Sequence, residues 1–213
     1  MDTMQLIFAC VPVLVMLIVA EVCANQRVLY GESIRKLVHI VVGTYVAFWP
    51  FMLDWNDIRI LSLAFAIVVF VSTRVKVFQS VRSVRRLSYG EMFFALSVGF
   101  LTLITESKGI YAAAILQMAW ADGAAALIGQ AYGKKTRYSI FATQKSLVGT
   151  AAFLAVSLAI LIGYAHYSVA GLAWEYIVLA AVGATILENL GVLGLDNLLA
   201  PAYVGVLLTI VTR

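Results

Sequence analysis

Long uninterrupted apolar blocks separated by short polar stretches set the pattern of this chain. Sustained alternation of period two is missing from the blocks, so they read as helices rather than as strands of a transmembrane barrel. A helix that crosses a bilayer needs roughly 17–25 mostly apolar residues. Blocks approaching that size lie at about 4–23, 36–53, 58–73, 91–105, 110–131, 147–165, 172–190 and 197–212. The blocks at 58–73, 91–105 and 197–212 are short, and Pro201 lies in the last. The pattern predicts an all-α, polytopic helical membrane protein with about seven transmembrane helices (six to eight). It predicts a single transmembrane domain over residues 1–213.

Composition supports the class. Hydrophobic residues make up 63% of the chain and charged residues 12%, against about 25% charged in soluble domains. The net charge of +4 is modest and is better read loop by loop than as a nucleic-acid signal. Arg27, Arg35 and Lys36 follow the first block; Arg74, Lys76, Arg82, Arg85 and Arg86 follow the third; Lys134, Lys135, Arg137 and Lys145 follow the fifth. Those alternate loops hold twelve basic residues, against Arg59 and Lys108 in the intervening ones. The positive-inside rule assigns the three rich loops to the cytoplasm, in the inner membrane if the source is bacterial. Cys10 and Cys23 form neither a metal spacing nor a disulfide framework. The N-terminus lacks a basic n-region, so a cleaved signal peptide is not expected.

Within this apolar frame, ionisable residues gather at one depth. Asp122 lies in the cytoplasmic half of the fifth block, and Lys145 in the loop that follows. Glu188 ends the seventh block, with Asp196 and Asn197 in the loop beyond, and His39 starts the second. An ionisable residue at membrane depth is costly and points to function by default. Asp122, Ala125, Ala126, Gly129 and Gly133 share one helical face. That face suits either close helix packing, with Asp122 as a hydrogen-bonding residue, or close approach of a ligand. In the second reading, Asp122 holds a divalent cation that carries a nucleotide's phosphates, since Mg²⁺ takes one or two carboxylates plus phosphate oxygens. Glu188 and Asp196 are candidates for further metal ligands or a general base, or for helix-end capping.

The basic residues carry similar alternatives. Gly129 to Thr136 is not a P-loop: three residues separate the glycines and the stretch follows a helix. Lys134, Lys135 and Arg137 read as membrane-surface anchors, and Arg74 to Arg86 as a loop touching anionic lipid. Lys145-Ser146 opens an apolar helix, whose N-terminus is a natural anion site; the alternative is a plain Ser N-cap. Arg35, Lys36 and His39 read as phosphate contacts or as headgroup anchors. Glu91 is a weaker site candidate, and His166 and Glu175, near the opposite face, receive no role.

Taken in order, Arg35-Lys36-x-x-His39, Tyr89-Gly90-Glu91, Asp122-Gly-Ala-Ala-Ala-x-x-Gly129, Lys145-Ser146-x-x-Gly149-Thr150 and Glu188 with Asp196-Asn197 and Pro201 are the motifs of a family. The chain resembles the CTP-dependent polyprenol, phytol and diacylglycerol kinases, which are related to the phosphatidate cytidylyltransferases. The resemblance implies a membrane enzyme that transfers the terminal phosphate of CTP to a lipid alcohol at the cytoplasmic face. Asp122, with Glu188 or Asp196, would then bind Mg²⁺ or another divalent cation, or activate the hydroxyl. Lys145 and Ser146 would bind phosphate. Arg35, Lys36, His39, Gly129, Gly133 and Asn197 complete the expected nucleotide-binding set. Gln130 stands where the family often carries Arg. The long C-terminal signature of the cytidylyltransferases does not occur, which favours the kinase branch over nucleotidyl transfer. A small cation- or proton-coupled transporter is the alternative from another class; such sites tend to lie at the midplane between repeated halves, and this chain shows no repeat. The expected partners are the lipid alcohol, CTP and membrane lipids, with no nucleic acid.

Overall fold

The structure is a computed structural model that describes residues 2–26, 31–75, 89–141, 143–168 and 171–212. Arg27, Lys76, Arg82, Arg85 and Arg86 lie outside the described residues, as does the side chain of Arg74. Each predicted apolar block forms helix. The elements are α1 (Thr3–Asn25), α2 (Glu32–Ala47), α3 (Trp55–Val75), α4 (Gly90–Ile104), α5 (Lys108–Leu116), α6 (Asp122–Tyr132), α7 (Leu147–Tyr167), α8 (Trp174–Leu190) and α9 (Asp196–Val211). A π-helical turn, Gln117–Ala121, joins α5 to α6. Among the described residues the fold is all-α apart from one antiparallel hairpin, β1 (Arg137–Ile140) with β2 (Thr143–Ser146).

Local chemistry explains the ends. Asp2 and Gln5 form a capping box on α1: the Asp2 carboxylate accepts from Gln5 N at 2.7 Å, and Gln5 Oε1 accepts from Asp2 N at 2.9 Å. Pro12 inside α1 has no N–H for the Phe8 carbonyl. Tyr45 Oη on α2 donates to that freed oxygen, which fastens α1 to α2. Pro50 closes α2 with a tight turn, Trp49–Phe51.

The core centres on α5, which is buried on every side from Ile110 to Ile115, as expected of a helix with no polar face. The outer helices instead expose large apolar side chains, among them Leu14, Ile18, Leu63, Leu103 and Ile210; a lipid environment solvates such a surface. In lipid, close backbone approach replaces the hydrophobic drive between helices. Gly43 of α2 provides one such contact, because a Cβ there would collide with the Ala119 side chain.

Four helices among the described residues are long and apolar enough to cross a membrane: Thr3–Asn25, Trp55–Ser72, the continuous Lys108–Thr136 and Leu147–Tyr167. Helix length therefore does not support the predicted count of about seven. α2, α4, α8 and α9 have 16, 15, 17 and 16 residues. At 1.5 Å per residue they extend roughly 22–26 Å, short of the roughly 30 Å hydrocarbon core. Tight turns at Trp49–Phe51 and Gly191 remove the residues that would have lengthened two of them.

Candidate active site

The site forms where the C-terminus of α8 and the N-termini of α2, α7 and α9 converge on the start of α6. Asp122 is the first residue of α6, directly after the π-helical turn. Turns of this kind are frequent at functional sites because they re-aim the residues that follow. Trp120 within the turn donates from Nε1 to Thr44 Oγ1 at 2.8 Å, and the buried Asp122 accepts from Lys36 Nζ. Both bonds reach α2. Gly123 extends that contact, since a Cβ there would meet the Ile40 side chain at 2.5 Å.

Asp122, Glu188 and Asp196 come together. One carboxylate oxygen from each lies within 4.8 Å of the others. Asp122 and Glu188 are buried and Asp196 is half-buried. Three carboxylates this close in a low-dielectric interior repel strongly unless counter-charge is present. Two lysines supply it: Lys36 on Asp122, and Lys145, whose Nζ lies 2.6 Å from Glu188 Oε1 and also donates to the Glu188 carbonyl. Glu188 Oε2 is buried with no hydrogen-bond partner. An all-oxygen set with a bare, buried acceptor fits a hard divalent cation such as Mg²⁺.

The turn between α8 and α9 brings Asp196 to this point. Gly191 ends α8, and Gly194 has φ +92°, in the region that favours glycine. A Cβ on Gly191 would stand 2.5 Å from Asp196 Cβ and 2.9 Å from its backbone N. Asp196 and Asn197 were expected in a loop; they form the first turn of α9 instead. Asn197 donates from Nδ2 to the Gly90 carbonyl at 3.1 Å, while its Oδ1 is buried without a partner.

The basic loop expected between the fifth and sixth blocks contains the hairpin, with Tyr138 paired to Lys145 and Arg137 to Ser146. The hairpin turn includes Phe141 at φ +51°, and nothing in its sequence has the Asn-Gly form that marks two-residue turns. Ser146 is the N-cap of α7 and accepts from Gly149 N at 3.1 Å. Gly129 and Gly133 lie against Ser146, and Gly129 also approaches the Gly149 backbone. Their closest neighbours are thus protein atoms, the arrangement of the helix-packing alternative.

Arg35 and Lys36 were counted as loop charges, but both belong to α2. Arg35 donates to Glu32 and lies 3.6 Å from Glu91 Oε1. His39 Nε2 is 3.6 Å from Asp122 Oδ2, and its ring packs edge-on against Phe94. Sequence reasoning passed over Asn189 and Tyr138. Tyr138 Oη donates to Asn189 Oδ1 and lies 2.5 Å from Thr150 Oγ1, while Thr150 Oγ1 donates to Asn189 Oδ1 at 3.2 Å. This knot ties the hairpin and α7 to the residue beside Glu188. The only available signal was its neighbourhood, Glu188-Asn189 and Gly149-Thr150.

A cavity of about 170 Å³ adjoins the site. Arg35, His39, Glu91 and Asn197 form its polar end, and side chains of α1 to α4 form its apolar body.

A membrane protein with a carboxylate–lysine cluster at the mouth of an apolar cavity is suited to polar chemistry on a lipid. Comparison with known proteins agrees. The chain is 35% identical over 192 residues to the phytol kinase of Synechocystis sp. (strain ATCC 27184 / PCC 6803 / Kazusa), covering 85% of this chain and 80% of that relative. The chain belongs to the polyprenol/phytol kinase family, and its activity is that of a membrane lipid kinase. No family model and no solved structure matches it.

Proposed function

We propose that this chain, acting as one multi-pass transmembrane unit, transfers the terminal phosphate of CTP to phytol or a related polyprenol at the cytoplasmic membrane face. The grouping of Asp122, Glu188 and Asp196 within 4.8 Å, beside an apolar cavity with a polar mouth, carries the reading. The relative's name supports phytol as the acceptor class, and the motif resemblance supports CTP as donor. The bias of basic residues toward alternate loops of the sequence supports the cytoplasmic orientation.

Asp122, Glu188 and Asp196 would hold Mg²⁺. Bound there, the metal would supply charge neutralisation for the polyphosphate. Phosphoryl transfer depends mostly on positioning and charge stabilisation, and the chain's own residues account for both. Lys36 and Lys145 pair with the carboxylates Asp122 and Glu188. On nucleotide binding they turn to the phosphate oxygens and replace one anionic partner with another. Ser146 and the α7 N-terminus add N–H and O–H donors. His39 lines the cavity, and its Nε2 is buried without a hydrogen-bond partner. That nitrogen accepts the hydroxyl proton of the lipid alcohol as the oxygen attacks the terminal phosphorus. The bond to the bridging oxygen breaks and CDP leaves. The apolar walls exclude water, which would otherwise compete for the phosphoryl group.

Incubation of the purified protein with labelled CTP, Mg²⁺ and phytol tests the reading. CDP and phytyl phosphate in equal amounts are expected. Pyrophosphate with a cytidylyl lipid, or no lipid product from any lipid alcohol, would overturn it.

A further inference from the structure

The cavity has an order along its length. On α2, His39, Val42 and Val46 line it at three- and four-residue spacing, and Trp49 follows at the same interval. On α4 the lining runs from Glu91 through Ala95 to Val98. On α3 it runs the opposite way, from Ser62 through Phe65 to Val69. Each row is one face of its helix. The polar residues lie at the end that holds His39, which is 3.6 Å from Asp122, apart from Ser62, whose hydroxyl is bonded to the Arg59 carbonyl at 3.0 Å. At the far end stands Trp49, 1% exposed, with its ring centroid 6.2 Å from that of Phe65. Its Nε1 is buried and without a hydrogen-bond partner. A large, rigid indole in this position ends the apolar space.

The depth is informative. His39 and Trp49 are ten positions apart, about 15 Å at helical rise. That is about half of the roughly 30 Å thickness of a hydrocarbon core. An alcohol whose hydroxyl lies at His39 would run its tail along these rows toward Trp49. We infer that the cavity between α1 and α4 is the tail site of the acceptor alcohol, and that Trp49, backed by Phe65, is its floor and sets the longest isoprenoid chain accepted. The inference rests on the lipid-alcohol kinase reading and adds the residue that measures the tail. Trp49 is a specificity-determining residue remote from the reacting atoms.

The test is a chain-length profile: kcat/KM for isoprenoid alcohols of increasing length, with CTP and Mg²⁺ held constant. Trp49→Ala opens the floor and should raise the ratio of long-chain to short-chain kcat/KM by about tenfold or more, the scale on which apolar pockets discriminate. Ala95→Leu fills the cavity midway and should shift the ratio toward shorter chains. The KM for CTP should stay the same in both. Should Trp49→Ala fail to fold, Ala95→Leu still decides the matter. An unchanged length profile in the folded, active variants would overturn the floor and leave the kinase reading intact. A wild type that phosphorylates no isoprenoid alcohol would overturn both.

Discussion

Lys145 Nζ lies 2.6 Å from Glu188 Oε1 and also donates to the Glu188 carbonyl, closing the hairpin onto the end of α8. Both side chains are nearly buried, at 12% and 8% exposure. Removing one partner of such a pair leaves the other charge without compensation, at about 3–5 kcal/mol. Lys145→Ala should therefore lower stability in detergent and reduce kcat at least about a hundredfold. Lys145→Ala combined with Glu188→Gln should recover most of the stability and none of the activity. Thermal unfolding of the single and double variants beside a phosphorylation assay checks this; recovery of activity in the double variant would count against a role for either residue in transfer.

Lys36 on Asp122 makes the corresponding pair between α2 and α6. Arg is larger, and its rigid planar fork suits bidentate partners rather than this single buried oxygen. Lys36→Arg should therefore keep the charge and still lose about tenfold or more in kcat/KM for CTP. Initial rates against CTP concentration decide it, with wild-type behaviour of Lys36→Arg as the contrary result.

Gly191 permits the approach of Asp196, which stands 2.5 Å from where a Cβ would lie. Gly191→Ala should displace Asp196, raise the Mg²⁺ concentration needed for half-maximal rate by about tenfold, an effect like that of disturbing an outer support of a metal site, and leave helix content unchanged. A Mg²⁺ titration of activity with parallel circular dichroism reads both effects.

Tyr138 Oη joins Thr150 and Asn189. Tyr138→Phe keeps the ring and removes these bonds, at about 1 kcal/mol. A small drop in Tm, a fall in kcat of a few fold and an unaltered KM for the lipid are expected, since the ring stays and the tail site is remote. A changed lipid KM with normal kcat would contradict this role.

Much of this arrangement was legible in the chain. The apolar blocks are long and continuous, so helix formation followed from pattern alone. The carboxylates Asp122, Glu188 and Asp196 stood out because charge in an apolar frame is costly, and three residues from separate segments agreed in depth. The count of about seven spans is not confirmed by helix length, because a block's apolar length includes turns such as Trp49–Phe51 that do not belong to the helix. The pairing of Lys36 with Asp122 and of Lys145 with Glu188 joins distant parts of the chain, so it was not legible from the sequence. The hairpin was missed because four-residue strands with an exposed Phe141 at the turn carry little periodic signal. The π-helical turn before Asp122 has no local signature at all; it lies where α2 and α7 both pack against that segment.

The central claim is that Asp122 belongs to a Mg²⁺-dependent site that moves phosphate from CTP to a lipid alcohol. The most direct measurement follows terminally labelled CTP into phytyl phosphate for the wild type and for Asp122→Asn, each purified and shown to be folded. The account predicts labelled phytyl phosphate from the wild type, lost on chelation of Mg²⁺, and none from Asp122→Asn. Undiminished transfer in Asp122→Asn, or in the wild type after chelation, would contradict it.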